Sequence, residues 1–315
     1  MKLFLIACLA TALASFSVAR STAQSTTQST IKLNLQFPQE LSVGRLILLK
    51  PDWKANGHSA TGSPFAEARG SVKTLSGQSI MLLGNDCISE RMNLLAVLPP
   101  NALACLVLSS TSIADKDLAF VGNLTGLRRL EFEDTDITDA GLVHLSKLAN
   151  LEYLSLSCTL IKGNTLDHLN AAHLKNLHLE NVALEPKAFR SISKFKELRW
   201  LSLTRAHLSD TALVELATLP KLEGLIIPEN PNVTDAGVRK LAAMKQLRRV
   251  DLANTSVTLA GVLALKEISL KWLRLSSRHK SDRSCAQLQS AFPRATIVFD
   301  KDHQRIPSEM FAPLH

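Results

Sequence analysis

The sequence predicts an α/β solenoid. Its coils stack with a right-handed turn, each giving one strand to a parallel concave sheet and one short helix to the convex side, behind a small β-rich N-terminal cap. Three observations predict it. First, the pattern LxxLxL returns at Leu127/Leu130/Phe132, Leu151/Leu154/Leu156, Leu174/Leu177/Leu179, Leu198/Leu201/Leu203, Leu222/Leu225/Ile227 and Leu247/Val250/Leu252, its middle residue advancing by 23 to 25 positions. A fixed period of that length marks units that bury their apolar faces only against one another. Second, hydrophobic residues make up 46% of the chain and aromatics only 5%, which suits a core of similar aliphatic layers. Third, within each unit the apolar spacing changes from alternation to every third residue, as a strand followed by a helix requires.

Residues 127–150, LRRLEFEDTDITDAGLVHLSKLAN, show one unit. Arg129 to Glu133 alternates and reads as a strand with Leu130 and Phe132 inward. Thr138-Asp139 reads as a helix N-cap pair, and Leu142, Leu145 and Leu148 form the apolar stripe of a short helix. The same offsets recover an earlier coil, mapping Thr111, Ile113, Leu118, Val121 and Leu124 onto Asn85, Cys87, Met92, Leu95 and Leu98 and placing Ile80 and Leu82 in its strand. One bend position holds Thr111, Thr135, Thr159 and Thr255 with Asn85 and Asn230, polar groups able to satisfy the backbone of the turn. Val182 and Ala206 interrupt that ladder, so two bends need other partners.

The ends read differently. Residues 1–19 combine a lysine, an apolar run and small residues, as a secretory signal peptide does, with cleavage expected after Ser17-Val18-Ala19 and, as the second choice, after Ser21-Thr22-Ala23. Residues 20–30 are a polar leader expected to be disordered. Residues 31–77 form the β-rich cap, in which Ile31, Leu33, Leu35 and Phe37 alternate and Arg45 to Lys50 and Gly70 to Thr74 read as strands. The array occupies 78–299; after a strand at Leu270/Leu273/Leu275 no complete helix of the usual pattern is read, but Ser284 to Ser290 reads as a helix and Ala295 to Phe299 as a terminal strand, together a C-terminal cap. Residues 300–315 read as a loose tail. Cys87, Cys105, Cys158 and Cys285 would remain after export, and Cys87 with Cys105 is the one pair the register allows. The chain is expected to be an exported monomer, periplasmic or extracellular, without a membrane span in its mature part.

These residues resemble leucine-rich-repeat proteins. The blocks Ile137-Thr138-Asp139-Ala140-Gly141-Leu142 and Val233-Thr234-Asp235-Ala236-Gly237-Val238 look like the cysteine-containing subclass, and the chain is similar to exported bacterial leucine-rich-repeat proteins of unknown role. The resemblance covers roughly residues 78 to 299. It implies a leucine-rich-repeat solenoid that binds a protein, peptide or glycan through its concave strand face.

Strand alternation makes that face legible. The positions before, between and after the inward leucines carry Arg129, Glu131, Glu133, Tyr153, His178, Glu180, Trp200, Arg249, Asp251, Trp272 and Arg274, which form the candidate partner-binding set. Tyr153, Trp200 and Trp272 share one column, where exposed aromatics would serve as anchors. Early acidic and late basic residues give the face polarity, suited to a polar partner. GxSxG, HExxH and phosphate-loop motifs are absent, so no catalytic residue, metal or cofactor is assigned. The formal net charge of +8 comes without a run of basic residues, which argues against nucleic acid. A structural part in a cell-envelope assembly is the alternative reading, and a hydrolase using the N-terminal cap the remote one.

Overall fold

The computed structural model describes residues 31–55 and 62–300. The expected signal peptide, the leader and residues 301–315 lie outside them, as do Gly57, His58 and Ser59 of the cap.

Fourteen strands follow in order: β1 Ile31–Gln36, β2 Gly44–Leu49, β3 Gly62–Glu67, β4 Ser71–Leu75, β5 Ile80–Gly84, β6 Cys105–Val107, β7 Arg129–Glu131, β8 Tyr153–Ser155, β9 Asn176–His178, β10 Trp200–Ser202, β11 Gly224–Ile226, β12 Arg249–Asp251, β13 Trp272–Leu275 and β14 Thr296–Phe299. From β5 to β14 each strand pairs parallel with the next in chain order. Leu106, Leu130, Leu154, Leu177, Leu201, Leu225, Val250 and Leu273 stand in one row, all at 0% exposure. Convex helices α1 Leu118–Val121, α2 Asp139–Leu142, α3 Pro186–Ile192, α4 Asp210–Leu216, α5 Asp235–Leu241, α6 Leu259–Leu263 and α7 Asp282–Ala291 close the other side of the core. This is an α/β leucine-rich-repeat solenoid.

The strands are shorter than alternation predicts. After each strand from β6 to β12, one residue takes the left-handed conformation: Ser110, Asp134, Cys158, Asn181, Arg205, Glu229 and Asn254 have φ between 50° and 59°. None is glycine, and a side chain there costs on the order of 1–2 kcal/mol. The stacking of identical bends holds them in place: the amides of Ser110, Asp134 and Cys158 donate to the carbonyls of Glu133, Ser157 and Glu180 in the following coil.

The bend ladder works as its polar residues imply. The hydroxyls of Thr111, Thr135, Thr159 and Thr255 donate to the carbonyl three residues earlier at 2.6 to 3.0 Å. Where Ala206 breaks the ladder, Asn230 of the next coil takes over. Its Oδ1 accepts from the Ala206 and Leu208 amides at 3.1 and 2.9 Å, while its Nδ2 reaches the carbonyls of Leu203, Ile227 and Pro228.

The T-D-x-G block proves to be a joint between coils. Thr138 and Thr234 cap their helices by accepting from the amides of Ala140 and Ala236, whereas the aspartates act across coils. Asp115, Asp210 and Asp235 each accept from both the amide and the hydroxyl of Thr138, Thr234 and Thr258, at 2.6 to 2.8 Å. Gly141, Gly237 and Gly261 lie against those carboxylates, and a Cβ there would stand 2.6, 2.3 and 2.1 Å from an Oδ1. Helix capping by the aspartates alone is therefore corrected: threonine caps and aspartate stacks.

Three further corrections concern the ends. In the first coil Ile88 is fully buried while Cys87 is half-buried and Asn85 exposed, because an eleven-residue 3₁₀ segment, Asp86–Ala96, replaces the usual helix and shifts the inward position. At the C-terminus α7 is a ten-residue helix and β14 continues the parallel register, with Ile297 beside Leu273 and Phe299 beside Leu275. The expected helix and terminal strand are thus both present, and the correction is that the cap repeats the geometry of a coil, with Ile297 and Phe299 in place of leucines. In the cap, β3 was not read because Pro64 sits inside it; it pairs with β2 at the sheet edge, where a missing amide is tolerated. The strand β2 joins the main sheet antiparallel to β5, while β1 and β4 pair separately. All four described cysteines are free thiols, so the Cys87–Cys105 pairing is not formed.

Because Asn230 serves two bends, Asn230→Ala is expected to cost more than about 3 kcal/mol in urea unfolding, against about 1 kcal/mol for Thr255→Ala. Gly237→Ala is expected to destabilise by more than about 1 kcal/mol despite its better helix propensity, since its methyl displaces Asp210.

Candidate partner-binding face

The candidate residues lie on the strand face turned away from the core, and the pairing aligns them in columns. One row runs Cys105, Arg129, Tyr153, Asn176, Trp200, Gly224, Arg249, Trp272; a second runs Val107, Glu131, Ser155, His178, Ser202, Ile226, Asp251, Arg274.

The face does not begin at the sheet's edge. The chain after β2 folds back over it, so that Trp53 packs on Ile47, Leu49, Met81 and Cys105 and lies 5.1 Å from the Arg128 guanidinium. Ala55 follows, its carbonyl accepting from Arg129 at 3.2 Å. Arg129 is thereby 2% exposed, its Nε on Glu131 at 2.5 Å and its guanidinium 3.5 Å above the Tyr153 ring. Tyr153 stacks in turn on His178, centroids 4.9 Å apart. Arg129 is thus a clamp between the cap and the repeats, and burial pushes the Tyr153 hydroxyl well above its ordinary range.

Beyond the clamp come the carboxylates. Glu133 accepts from Ser155 at 2.7 Å and Glu180 from Ser202 at 2.6 Å, each serine reaching back from the following strand. The His178 Nδ1 stands 3.7 Å from Glu180, and this imidazole, ahead of the Ser202 hydroxyl, holds the Glu180 carboxyl below its usual range against the opposing effect of burial. Glu131, Glu133 and Glu180 stay half-exposed and fixed in direction.

The second half is apolar. Trp200, Ile226, Trp272 and Val298 form one cluster. Gly224 makes it possible: a Cβ there would stand 2.2 Å from the Trp200 ring, which lies across the vacant side-chain position. Arg249 lies 6.0 Å from the Trp200 centroid and is half-exposed. Asp251, at 0% exposure, accepts from the Ala253 amide at 3.0 Å and pairs with Arg274 at 3.1 Å. Burial, outweighing both partners, lifts its carboxyl above the ordinary range.

The expectation of exposed aromatic anchors is therefore corrected. Tyr153 is 6% exposed and Trp200 and Trp272 are 7% exposed, because neighbours one strand away cover their rings. Arg129 and Asp251 are likewise buried and the His178 side chain is mostly covered, at 12% exposure, while Glu131, Glu133, Glu180, Arg249 and Arg274 remain accessible. Sequence reasoning missed Ile226 and Val298 in the apolar shelf and Trp53 and Ala55 over the first strands. Gly224 beside Trp200 in one column was the available signal for the shelf.

Asp251 and Arg274 give an asymmetric prediction. Arg274→Ala strands a buried carboxylate and is expected to cost about 2–3 kcal/mol at neutral pH, whereas Asp251→Asn keeps the acceptor for Ala253 and is expected to stay within about 1 kcal/mol. Because the folded Asp251 carboxyl is raised, its contribution is largest in acid and is lost as pH rises through its folded value; unfolding curves of Asp251→Asn should lack that component. Glu180 has the opposite sign: its contribution is full above its ordinary value of 4.5 and falls away below it, so Glu180→Gln should flatten the acid limb.

No protein-family model matches the chain, and no curated protein matches it. Among solved structures it is similar to the internalin inlF of Listeria monocytogenes, at 20% identity and a TM-score of 0.45, over 63% of this chain and 54% of that one. It is also similar to internalin C2 of the same organism, at 22% identity and a TM-score of 0.49, over 62% of this chain and 80% of that one. The chain thus spans about half the length of the first of these.

Proposed function

We propose that the chain is a non-catalytic interaction module of the exported leucine-rich-repeat type, similar to the cysteine-containing subclass in its T-D-x-G blocks, and that it holds a protein, peptide or glycan on the strand face from β7 to β13. The observation that carries this reading is the division of one unbroken face into two chemically different halves. Glu133 and Glu180 are aimed by serines of the next strand, and past them lie Arg249 and the Trp200/Ile226/Trp272 shelf. Carboxylates fixed in direction lose little freedom on binding and select a cationic or hydrogen-bond-donating group, while the shelf accepts an apolar one. The buried aromatics build this surface, and the half-exposed charges read the partner.

Affinity capture from native extract tests the reading. Glu133→Lys with Glu180→Lys is expected to abolish a captured partner, and the milder pair Glu133→Gln with Glu180→Gln, which keeps an acceptor for each serine, to weaken it with the fold retained in melting curves. Arg249→Glu is expected to weaken it as well, and a partner set identical to that of the parent chain would contradict strand-face recognition. Mutating the tryptophans is less discriminating, since both pack the face.

Export is proposed from the N-terminal sequence, with the periplasm or the exterior as destination. No described helix is long and apolar enough to cross a membrane. Mass analysis of the exported protein is expected to find Arg20 at its N-terminus, and a retained Met1 in that fraction would contradict cleavage.

A further inference from the structure

The segments that return from each convex helix to the next strand form one flank of the solenoid, and they hold the chain's charge excess. From residue 97 to residue 295 these segments, 97–104, 122–128, 146–152, 169–175, 193–199, 217–223, 242–248, 264–271 and 292–295, contain twelve lysines and arginines against four glutamates. Their excess of eight equals the net charge of the entire chain, +8. The other residues between 31 and 300 hold two more acids than bases, so the imbalance belongs to this flank and not to the surface at large.

Three of the four flank acids are already used, and the fourth, Glu267, is exposed between Lys266 and Lys271. Glu152 bridges Arg128 and Lys175, Glu223 pairs with Arg199, and Glu197 pairs with Lys221. Lys194, Lys196, Lys245, Lys266 and Lys271 are exposed and make no ion pair among the described residues, and Arg248 donates only to the carbonyls of Lys245 and Leu247. In-register stacking sets most of the twelve flank cations in columns one, four and six residues ahead of the strands, and together the twelve extend over eight strands from β7 to β14, a length of roughly 34 Å at the ordinary strand spacing.

We propose that this flank binds a linear anionic polysaccharide, lying along the stack and independent of the strand face. A band of point charges running along the stack matches an extended polymer that carries carboxylate or sulfate groups at intervals, and its attraction needs no fixed register. Eight of the twelve cations are lysines, which offer charge without the planar fork that selects phosphate geometry. The charged segments carry no exposed Phe, Tyr or Trp for a nucleobase to stack on, their one exposed ring being the His173 imidazole. Val97, at 74% the most exposed large apolar residue, lies in the uncharged segment 97–104 ahead of the charged row, and Val143, Leu160 and Val214 lie outside the flank, so no apolar wedge for a bilayer stands within the row.

Heparin, as a sulfated polysaccharide probe, tests the proposal with the full chain at low salt. The set Lys194→Glu, Lys245→Glu and Lys271→Glu is expected to weaken binding at least about tenfold and to reduce its salt dependence. The control set Lys73→Glu, Lys116→Glu and Lys240→Glu changes net charge equally, and is expected to weaken binding less than about twofold. Melting curves of both sets should match the parent; if the reversed flank set melts lower, Lys→Gln at the same three positions must still weaken binding more than its own control. Equal loss from both sets, absence of heparin binding by the parent chain, or tighter binding to duplex DNA or to phosphatidylglycerol vesicles than to heparin at the same salt would each overturn the proposal.

Discussion

Each coil of this solenoid must satisfy backbone groups of the coil before it, and nearly everything else in the structure follows from that demand. The strand amides and carbonyls meet it by parallel pairing, but each bend brings polar groups into an apolar interior, where an unpaired one costs on the order of 1–3 kcal/mol. The answer recurs through the central layers: after β6 to β12 a left-handed residue turns the chain and its amide donates to the next coil, and in most of these bends a threonine or asparagine serves the inward carbonyls. The joint of aspartate, threonine and glycine performs the same task at the head of the helices. Non-glycine residues tolerate the strained bend because its geometry is fixed by neighbours on both sides.

This demand also builds the functional surface. Since every strand is locked in phase with the next, side chains on the outer face meet one strand away, and the contacts there are between coils. Arg129 on Tyr153, Tyr153 on His178, Ser155 on Glu133, Ser202 on Glu180 and Trp200 over Gly224 all cross a strand boundary. The face is therefore a packed and oriented surface with few freely rotating groups. The same phase lines up the lysines on the flank, so one repeat generates two surfaces of different chemistry at right angles to each other's task.

Much of this was legible in the residues, because periodicity fixes phase and phase fixes which side chains share a face. The rows of the outer face, the leucine layers and the interrupted threonine ladder followed from spacing alone. Burial did not, since it depends on what a neighbour lacks: Gly224 leaves the space that Trp200 fills, and nothing in Trp200 itself signals this. The cover of Trp53 and Ala55 over the first strands was equally hidden, as it joins residues 74 positions apart outside the repeat. The helix and strand after β13 were legible, but not that they continue the stack, because Ile297 and Phe299 replace leucine without changing the geometry.

The shared bend is the most direct place to test whether coils are locked together in this way. Ala206 and Leu208 have amides held by the side chain of Asn230 from the following coil, in a bend that lacks its own polar residue. Native-state hydrogen exchange measures that hold. Locked coils predict that these two amides exchange as slowly as the strand amides of Leu201 and Leu225, opening only when the neighbouring coils open together. Exchange at the rate of an exposed loop, with the strands still protected, would contradict it.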